Sequence, residues 1–345
     1  MHVIEATNVH EALTIGMDYL LRNGVQEETR NGPALVAPGP VTTVYENPLE
    51  RVVFWPQRDA NPFFHLFESL WMLAGRRDVE FVQTFSSKIG EYSDDGETFN
   101  AAYGWRWKGH FDSIDQVATV IEALKANPNC RRQVIGIWDA SHDLGLPSKD
   151  LPCNLAVHFM TREGKLDMTV FNRSNDMIWG AYGANAVHFS FLLELVAHFA
   201  GLPVGRYYQV SDNFHAYKSV FDKMVDLADL APDPFRFQLT GTAPYDRPHI
   251  KPFPLVGNGI TYDGWMSELS AFLSEGPNTL GISDPFLRRV AGPLYKAWVA
   301  YKENKGKEKY KAAASHILNC AASDWRMACG EWINRRQRKF EGKKP

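Results

Sequence analysis

The chain has 345 residues, of which 45% are hydrophobic and 22% are charged, and its formal net charge is −3. This composition indicates a globular protein with a sizeable core, in one large domain or two modest ones. No bulk charge attracts the chain to nucleic acid or membranes, so neither is expected as a partner. The four cysteines lie far apart, with no histidine at ligand spacing, so we expect no metal site and no disulfide framework.

Two features bear on where the protein works. Residues 1–21 lack the basic start and the long apolar centre of a signal peptide. No apolar run is long enough to span a bilayer. We therefore predict a cytoplasmic, reduced protein, in which Cys153 can be a free thiol.

Apolar periodicity predicts a mixture of helices and strands up to residue 230. Helices are predicted over 8–24, 62–75, 112–129, 185–201 and 218–230. Strands are predicted within 34–55 and over 132–139, 154–164, 165–174 and 205–217. Asp112 or Ser113 is expected to cap the third helix. After about residue 257 apolar residues recur at spacings of three and four, which predicts a helical C-terminal extension over 258–345.

Several charged and polar residues lie within or next to apolar segments. They are Glu68, Arg131, Arg132, Arg173, Ser174, Asp176, Asn185, His215 and Tyr217. Taken one at a time, each is explained by a salt bridge on a helix face or by a helix cap. Because buried charge is costly unless it is paired or used on a ligand, the whole set indicates a pocket for a small anion such as phosphate.

A cysteine stands at the entrance to the strand predicted over 154–164. The segment "KDLPCNLAVHF" places Cys153 between Pro152 and Asn154. A neighbouring guanidinium lowers the pKa of a thiol and makes it a competent nucleophile. The residues therefore favour a covalent catalyst over a core filler.

Five segments resemble the thymidylate synthase superfamily, in the family's order and with close spacing. They are "ESLWMLAG…AAYGWRW", "NPNCRRQVIGIWD", "LPCNLAVHF", "FNRSNDMIWGAYGAN" and "AHFAGLPVGRYYQVSDNFHAY". The resemblance covers roughly residues 15–230. It implies an α/β (α+β) fold, with a twisted mixed sheet packed by helices, and a catalytic domain over 1–257. It also implies a one-carbon transferase.

The resemblance implies a role for each matching residue. Cys153 is implied as the nucleophile that adds to C6 of a pyrimidine nucleoside monophosphate, with Arg173 close to the thiolate. Glu68 and Tyr103 are implied to manage protons and water near C4 and C5, and Asn185 to read the base edge.

The implied binding residues divide by ligand. Arg30, Arg173 and Ser174 are implied to bind the phosphate. Arg131 and Arg132 are implied to bind it from the other subunit of a homodimer. His215 and Tyr217 are implied to bind the sugar 3′-hydroxyl. The residues implied to bind the folate are Asp176, Gly180 and Tyr182. The folate is 5,10-methylenetetrahydrofolate as co-substrate.

The implied chemistry has two possible ends. Addition of the thiolate at C6 makes C5 an enolate carbon, which attacks the iminium form of methylenetetrahydrofolate. Loss of the C5 proton then expels tetrahydrofolate and leaves an exocyclic methylene on the base. Hydride from the folate turns this methylene into a methyl group, whereas water turns it into a hydroxymethyl group.

Three departures from the synthase pattern bear on this choice. Residues 85–104 contain no tryptophan, and Gly90 falls where a water-excluding indole is expected. "PCN" and "NRS" replace the synthase "PCH" and "QRS" and are similar to phage-type hydroxymethylases. The segment before Asn185 is one residue longer than the corresponding segment of the synthase pattern. The segment 245–256 faintly resembles the synthase tail that closes the site.

We therefore predict a folate-dependent deoxyuridylate (dUMP) hydroxymethyltransferase, of the kind phages use to modify DNA bases in the host cytoplasm. The alternatives are a dCMP or CMP hydroxymethylase, a thymidylate synthase, and a nucleotide-binding protein without activity. The amide of Asn185 can donate to O4 and accept from N3–H of uracil, which favours dUMP, although a flipped amide would suit cytosine.

Overall fold

A computed structural model of the protein describes residues 1–230, 244–278 and 280–343. Its strands are β1 (His2–Ala6), β2 (Val25–Thr29), β3 (Gly32–Val36), β4 (Val41–Tyr45), β5 (Gln133–Gly136), β6 (Asn154–Arg162), β7 (Lys165–Asp176) and β8 (Val204–Tyr217). Its helices are α1 (Val9–Asn23), α2 (Pro62–Leu73), α3 (Val79–Phe85), α4 (Tyr103–Trp105), α5 (Gln116–Ala126), α6 (Ala140–Asp143), α7 (Asn185–Ala200), α8 (Lys218–Phe221), α9 (Tyr262–Glu275), α10 (Gly292–Glu303), α11 (Glu308–Ile317) and α12 (Ser323–Phe340). Short 3₁₀ or π turns cover Pro56–Arg58, Ile89–Tyr92, Arg106–His110, Met177–Ala184, Val225–Leu230, Pro244–Asp246 and Leu287–Ala291.

Within the described residues, the strands form one mixed sheet in the order β1-β4-β8-β7-β6-β5. β3 pairs with the far end of β8, and β2 pairs with β3. The β1–β4 and β7–β8 pairs are parallel, and the other pairs are antiparallel. The predicted mixed sheet packed by helices is confirmed.

The register of the central strands gathers polar residues at one end of the sheet. In the parallel β7–β8 pair, Asp176 lies opposite His215. The antiparallel β6–β7 pair sets Asn154 opposite Asn172, so the residues before β6 lie beside the last residues of β7. Cys153 therefore lies at the same edge of the sheet as Asp176 at the end of β7, although Asp176 comes 23 residues later in the sequence.

Two strongly apolar helices cover this end of the sheet. α2 begins with Pro62 after the cap Asn61, whose side chain accepts from the Phe64 N–H, and all but one of its residues are buried. α7 is apolar around most of its circumference, as expected for a helix enclosed on all sides. α2 carries Glu68 and α7 begins at Asn185, so packing of the two helices brings these side chains together.

The predicted bounds agree best with the observed ones where the apolar pattern continues over several helical turns. The helices predicted over 8–24, 62–75 and 185–201 agree with α1, α2 and α7 within two residues. The strand alternation predicted to 55 ends at Tyr45, and the helix predicted over 218–230 consists of α8 and a 3₁₀ turn. The strands β1 and β2 were not predicted, because each is short and mostly exposed, with little or no alternation of apolar residues.

The predicted cap of the third helix is wrong. Asp112 and Ser113 have φ of 49° and 59°, a left-handed conformation that does not lead into a helix. α5 begins instead after Asp115, whose carboxylate accepts a hydrogen bond from the Ala118 N–H at 2.9 Å.

The segment after 258 folds into the helices α9 to α12, which pack against α2 and α3. Trp298 donates its indole N–H to the Thr84 carbonyl at 2.9 Å. The ring of Phe63 lies 5.3 Å from that of Trp298 and 5.8 Å from that of Trp332. One apolar core thus contains residues from both predicted parts, and the division at 257 stays a prediction. Among the described residues, no helix has both the length and the apolar character needed to cross a bilayer.

Candidate active site

A cavity of about 320 Å³ opens where α2, α7 and the ends of β6 and β7 meet. It contains seven of the predicted site residues: Glu68, Tyr103, Cys153, Ser174, Asp176, Gly180 and Asn185. The other lining residues are Trp71, Met72, Ile89, Tyr92, Phe99, Ala101, Ala102, Asp150, Asn175, Trp179, Ala184 and His188. The wall is therefore largely apolar and aromatic, with the polar groups gathered near Cys153, as is typical of small-molecule sites.

Arg173 holds the loop that carries Cys153 against β7. Its backbone N–H donates to the Cys153 carbonyl at 3.0 Å, and its Nε donates to the Pro152 carbonyl at 3.0 Å. Its guanidinium also donates to the Leu151 carbonyl at 3.3 Å and lies over the ring of Trp138. These contacts fix the thiol at the mouth of the cavity.

The environment of Cys153 does not lower the pKa of the thiol. Burial raises that pKa above the ordinary cysteine value, and the positive charges of Arg173 and Arg30 oppose the rise only in part. The expectation of a lowered pKa is wrong, because loss of hydration outweighs the two guanidinium groups at this position.

Alkylation should reveal this raised pKa by comparison with Cys130. Hydrogen bonds from the backbone and the side chain of Arg132 lower the pKa of the Cys130 thiol. Because the thiolate is the reactive form, iodoacetamide at neutral pH should label Cys130 faster than Cys153. The difference between the two labelling rates should become smaller as the pH is raised. Mass spectrometry of the two peptides gives the order. If Cys153 were labelled faster than Cys130 at neutral pH, the charges of Arg173 and Arg30 would outweigh burial in setting the pKa of Cys153.

Tyr103 and Glu68 face the thiol from two sides. Burial raises the pKa of Tyr103 well above the ordinary tyrosine value, and a hydrogen bond to the Cys153 backbone opposes this only in part. Tyr103 is therefore a neutral hydroxyl. Glu68 is buried on α2, and its Oε2 lies 2.9 Å from Nε2 of His188 on α7.

A chain of amide hydrogen bonds orients Asn185. Asn185 Nδ2 donates to Asn175 Oδ1 at 3.1 Å, and Asn175 Nδ2 donates to Gln209 Oε1 at 2.5 Å. Gln209 Nε2 in turn donates to the Tyr207 hydroxyl at 2.6 Å. Each amide fixes the next, so Asn185 keeps one N–H and its carbonyl oxygen for a ligand.

Asp176 ends β7 and begins the turn Met177–Ala184. Its Oδ1 accepts hydrogen bonds from the N–H groups of Ile178 and Trp179, both at 2.7 Å. Its Oδ2 is buried and has no hydrogen-bond partner among the described residues. Burial raises the pKa of Asp176, and the two backbone hydrogen bonds and the charges of His215 and Arg58 oppose this. One carboxylate oxygen is thus left available to a ligand with an N–H group.

Several predicted binding residues do not line the cavity. Arg30 lies in the turn between β2 and β3, and Arg131 and Arg132 lie before β5; all three are exposed. His215 bonds Asn213 through Nδ1, and the Tyr217 hydroxyl accepts from Asn31 at 3.1 Å. These residues, together with Arg173, lie beyond the cavity wall at the same end of the sheet or on the surface.

Tyr182 is not placed at the cavity, which corrects its predicted contact with folate. Its ring is fully buried, and its hydroxyl lies 3.0 Å from Oγ1 of Thr43 on β4. The turn Met177–Ala184 departs from helical geometry at Tyr182 and Gly183, and the ring packs into the core.

Gly90 also does not face the cavity. A side chain at this position would lie against Val79 and Gln83. The same segment contributes Ile89 and Tyr92 to the wall instead. The segment 245–256, which resembles the closing tail, has no residue in the wall; the Leu255 N–H bonds Glu194 at 2.8 Å.

Sequence reasoning missed three polar residues of the cavity: His188, Asn175 and Asp150. His188 stands one helical turn after Asn185, a spacing that places both on one face of α7. Asn175 stands between two predicted residues of β7. Burial raises the pKa of Asp150 to about 6, and its carboxylate accepts from the N–H groups of Asn100 and Ala101.

Comparisons with known proteins show the family to which the chain belongs. Residues 17–242 match the family model described as thymidylate synthase. The match covers well over half of the chain, so the chain belongs to the thymidylate synthase family, as the resemblance implied.

Three phage proteins are similar to the chain, and each is named deoxyuridylate hydroxymethyltransferase. The protein of Pseudomonas phage M6 is 52% identical over 348 residues, covering 100% of this chain and 97% of its own length. The protein of Bacillus phage SP01 is 37% identical over 260 residues, covering 72% and 66%. The protein of Delftia phage PhiW-14 is 30% identical over 237 residues, covering 66% and 65%.

Proposed function

We propose that this protein is a folate-dependent dUMP hydroxymethyltransferase, a one-carbon transferase that makes 5-hydroxymethyl-dUMP. The observation that carries the proposal is the meeting of a thiol, a carboxylate and a base-reading amide in one largely apolar cavity: Cys153, Glu68 and Asn185. The full-length similarity to a phage protein of this name supports it.

The proposed reaction uses Cys153 as a covalent catalyst. The thiolate forms a bond to C6, and electrons move through C5 and C4 to O4. C5 then forms a bond to the one-carbon unit. Loss of the C5 proton breaks the bond between that carbon and the folate nitrogen, which releases tetrahydrofolate and leaves an exocyclic methylene on the base. Water adds to the resulting methylene, and expulsion of the thiolate restores the C5–C6 double bond. Glu68 and the Tyr103 hydroxyl are the proton-handling groups beside these atoms.

Methylenetetrahydrofolate supplies the one-carbon unit in this proposal. The cavity fits a flat heterocycle with N–H groups. Asp176 offers an unpartnered carboxylate oxygen, and Trp71 and Trp179 offer apolar faces. A side chain at Gly180 would meet Asn175 Oδ1 at 2.5 Å, so glycine keeps this part of the wall open.

The choice of uracil rests on Asn185. With one N–H donated to Asn175, the amide has one donor and one acceptor left, which pair with O4 and N3–H of uracil. The amide chain through Gln209 and Tyr207 resists a flip of Asn185 alone, because a flip would break the neighbouring bonds.

Asn185→Asp should shift the preference from dUMP toward dCMP. A carboxylate accepts from the cytosine amino group but leaves uracil O4 without a donor. An unsatisfied buried polar group costs about 1–3 kcal/mol, so we expect the kcat/KM ratio of dCMP to dUMP to rise roughly 5- to 150-fold. Asn319→Asp, the same change at an exposed position outside the cavity wall, should leave the ratio unchanged. If the kcat/KM ratio of dCMP to dUMP did not change in Asn185→Asp, the assignment of base recognition to Asn185 would be wrong.

Apart from Ser174, which lines the cavity, the residues of the phosphate and sugar sites are proposed to act from beyond the cavity wall. Arg30, Arg173 and Ser174 take the phosphate, and His215 and Tyr217 take the 3′-hydroxyl. Arg131 and Arg132 are exposed and do not line this chain's own cavity. We propose that they serve the second site of a homodimer, in the cytoplasm of a phage-infected cell.

Measurement of dihydrofolate tests the proposal against thymidylate synthase, the second candidate. Only hydride transfer from the folate oxidises it. We expect dUMP to be consumed with methylenetetrahydrofolate while no dihydrofolate absorbance develops. Dihydrofolate formed in equal amount to the nucleotide consumed would identify a synthase. Residues 85–104 contribute Ile89 and Tyr92 to the cavity wall but no indole, which supports water capture.

A further inference from the structure

His188 is a buried titratable residue to which the family resemblance assigns no role. It lies on α7, is 2% exposed and lines the cavity. It stands one turn after Asn185, so its ring faces the same space as the base-reading amide. A neutral imidazole carries one donor and one acceptor, and both are costly to bury unpaired.

Neither nitrogen of His188 has a hydrogen-bond partner among the residues that the structure describes. Nε2 lies 2.9 Å from Glu68 Oε2, but a hydrogen bond needs direction as well as distance, and both atoms remain unpartnered. Three buried polar atoms, Nδ1 and Nε2 of His188 and Oε2 of Glu68, thus lie together beside the cavity. Such a group in a native protein calls for a polar ligand, and the smallest is water.

Among the described residues, the one ion pair that His188 or Glu68 makes is the contact between the two. From α2, His65 faces the same region; burial and then the charges of Arg58 and His188 lower its pKa well below the ordinary histidine value. It therefore stays neutral. Tyr103 carries a neutral hydroxyl. His188 and Glu68 thus form a close pair with two neutral side chains nearby.

We propose that His188 is a positioning residue which, with Glu68, holds the water that captures the exocyclic methylene. This inference rests on the proposed function. The water oxygen forms a bond to the methylene carbon, Glu68 accepts the proton that the water loses, and His188 holds Glu68 and the water in place. The π electrons of the C5–methylene double bond move through C4 to O4, and their return forms the C5–C6 double bond and expels the Cys153 thiolate from C6. The step involves no oxidation or reduction, so it needs no further reactant.

The test separates water capture from the earlier steps. In a single turnover with [5-³H]dUMP and methylenetetrahydrofolate, tritium release reports loss of the C5 proton and mass spectrometry reports the hydroxymethyl product. In His188→Asn we expect tritium release within about threefold of wild type and product formation reduced about 100-fold, on the scale of general acid–base effects. The exocyclic methylene that water does not capture is an electrophile. Added 2-mercaptoethanol should therefore react with it, and a thioether of the nucleotide should accumulate.

Two further variants keep the result interpretable. His198→Asn makes the same change on the same helix, away from the cavity lining, and should behave as wild type. His188→Gln keeps an amide near the Nε2 position and should recover part of the product. Product within threefold of wild type in His188→Asn, or tritium release that falls as far as product, would overturn the inference. A wild-type enzyme that forms no hydroxymethyl nucleotide would instead overturn the proposed function.

Discussion

Replacing Cys153 with serine is expected to abolish turnover, with a loss in kcat on the order of 10⁴-fold or more, the scale seen when a covalent nucleophile is removed. A hydroxyl in place of the thiol is a far weaker nucleophile at neutral pH. The affinity for dUMP should stay within a few-fold, because the sulfur acts in bond formation and not in ground-state binding. Steady-state kinetics and calorimetric titration with dUMP measure the two quantities.

The matched control for this result is Cys320→Ser. Cys320 lies between α11 and α12, outside the cavity, and its Sγ donates to the Ala322 carbonyl at 3.5 Å, a bond that serine can also make, so this variant should keep wild-type kinetics. If Cys153→Ser retained turnover within about tenfold of wild type, far from the loss expected for a nucleophile, the covalent mechanism would be wrong. Normal nucleotide binding by an enzyme whose wild-type form also shows no turnover would favour a binding protein.

Replacing Asp143 with asparagine is expected to lower the free energy of unfolding by about 3–5 kcal/mol, because it leaves a buried guanidinium without its counter-charge. The side chains of Asp143 and Arg106 are both fully buried, and two hydrogen bonds of 2.6 and 2.8 Å join them. Arg106 also donates to the carbonyls of Asn100 and Ile137. The pair therefore ties the segment that carries Tyr103 to the loop before Cys153.

This loss of stability should depend on pH. Burial acts to raise the pKa of Asp143, but hydrogen bonds from Arg106 and the Asp139 backbone outweigh it and lower the pKa. A lowered folded pKa stabilises the protein above about pH 4, the ordinary aspartate value, and this contribution is lost as the pH falls through the folded value. Urea denaturation should thus show a difference between wild type and Asp143→Asn that narrows on acidification.

An exposed ion pair serves as the comparison. Arg206 and Glu46 bond at 2.8 Å with both side chains about half exposed. Glu46→Gln should change the free energy of unfolding by less than about 1 kcal/mol, as surface pairs usually do. Equal effects of Glu46→Gln and Asp143→Asn would contradict the role given to burial.

The elements with long periodic patterns could be predicted from sequence, and the short ones could not. α1, α2 and α7 repeat apolar residues over several turns, whereas β1 and β2 have five residues each and β2 is exposed throughout. The cap of α5 depends on backbone angles at Asp112 and Ser113 that composition does not reveal.

The members of the site followed from the family resemblance, but their environments did not. Seven of the predicted residues line one cavity, while Tyr182 turns into the core through a local kink. The pKa of Cys153 depends on a balance of burial against the charges of Arg173 and Arg30, and only coordinates give that balance. His188 was missed because a histidine on an apolar helix is usually part of the core.

The most direct test of the account is the mass of the nucleotide product. The protein is incubated with methylenetetrahydrofolate and, in separate reactions, with dUMP, dCMP or CMP. We predict the gain of one hydroxymethyl group on dUMP, with little or no product from the cytosine nucleotides. A methyl group gained by dUMP would contradict water capture, and a hydroxymethyl group gained by dCMP or CMP in preference to dUMP would contradict the reading of uracil by Asn185.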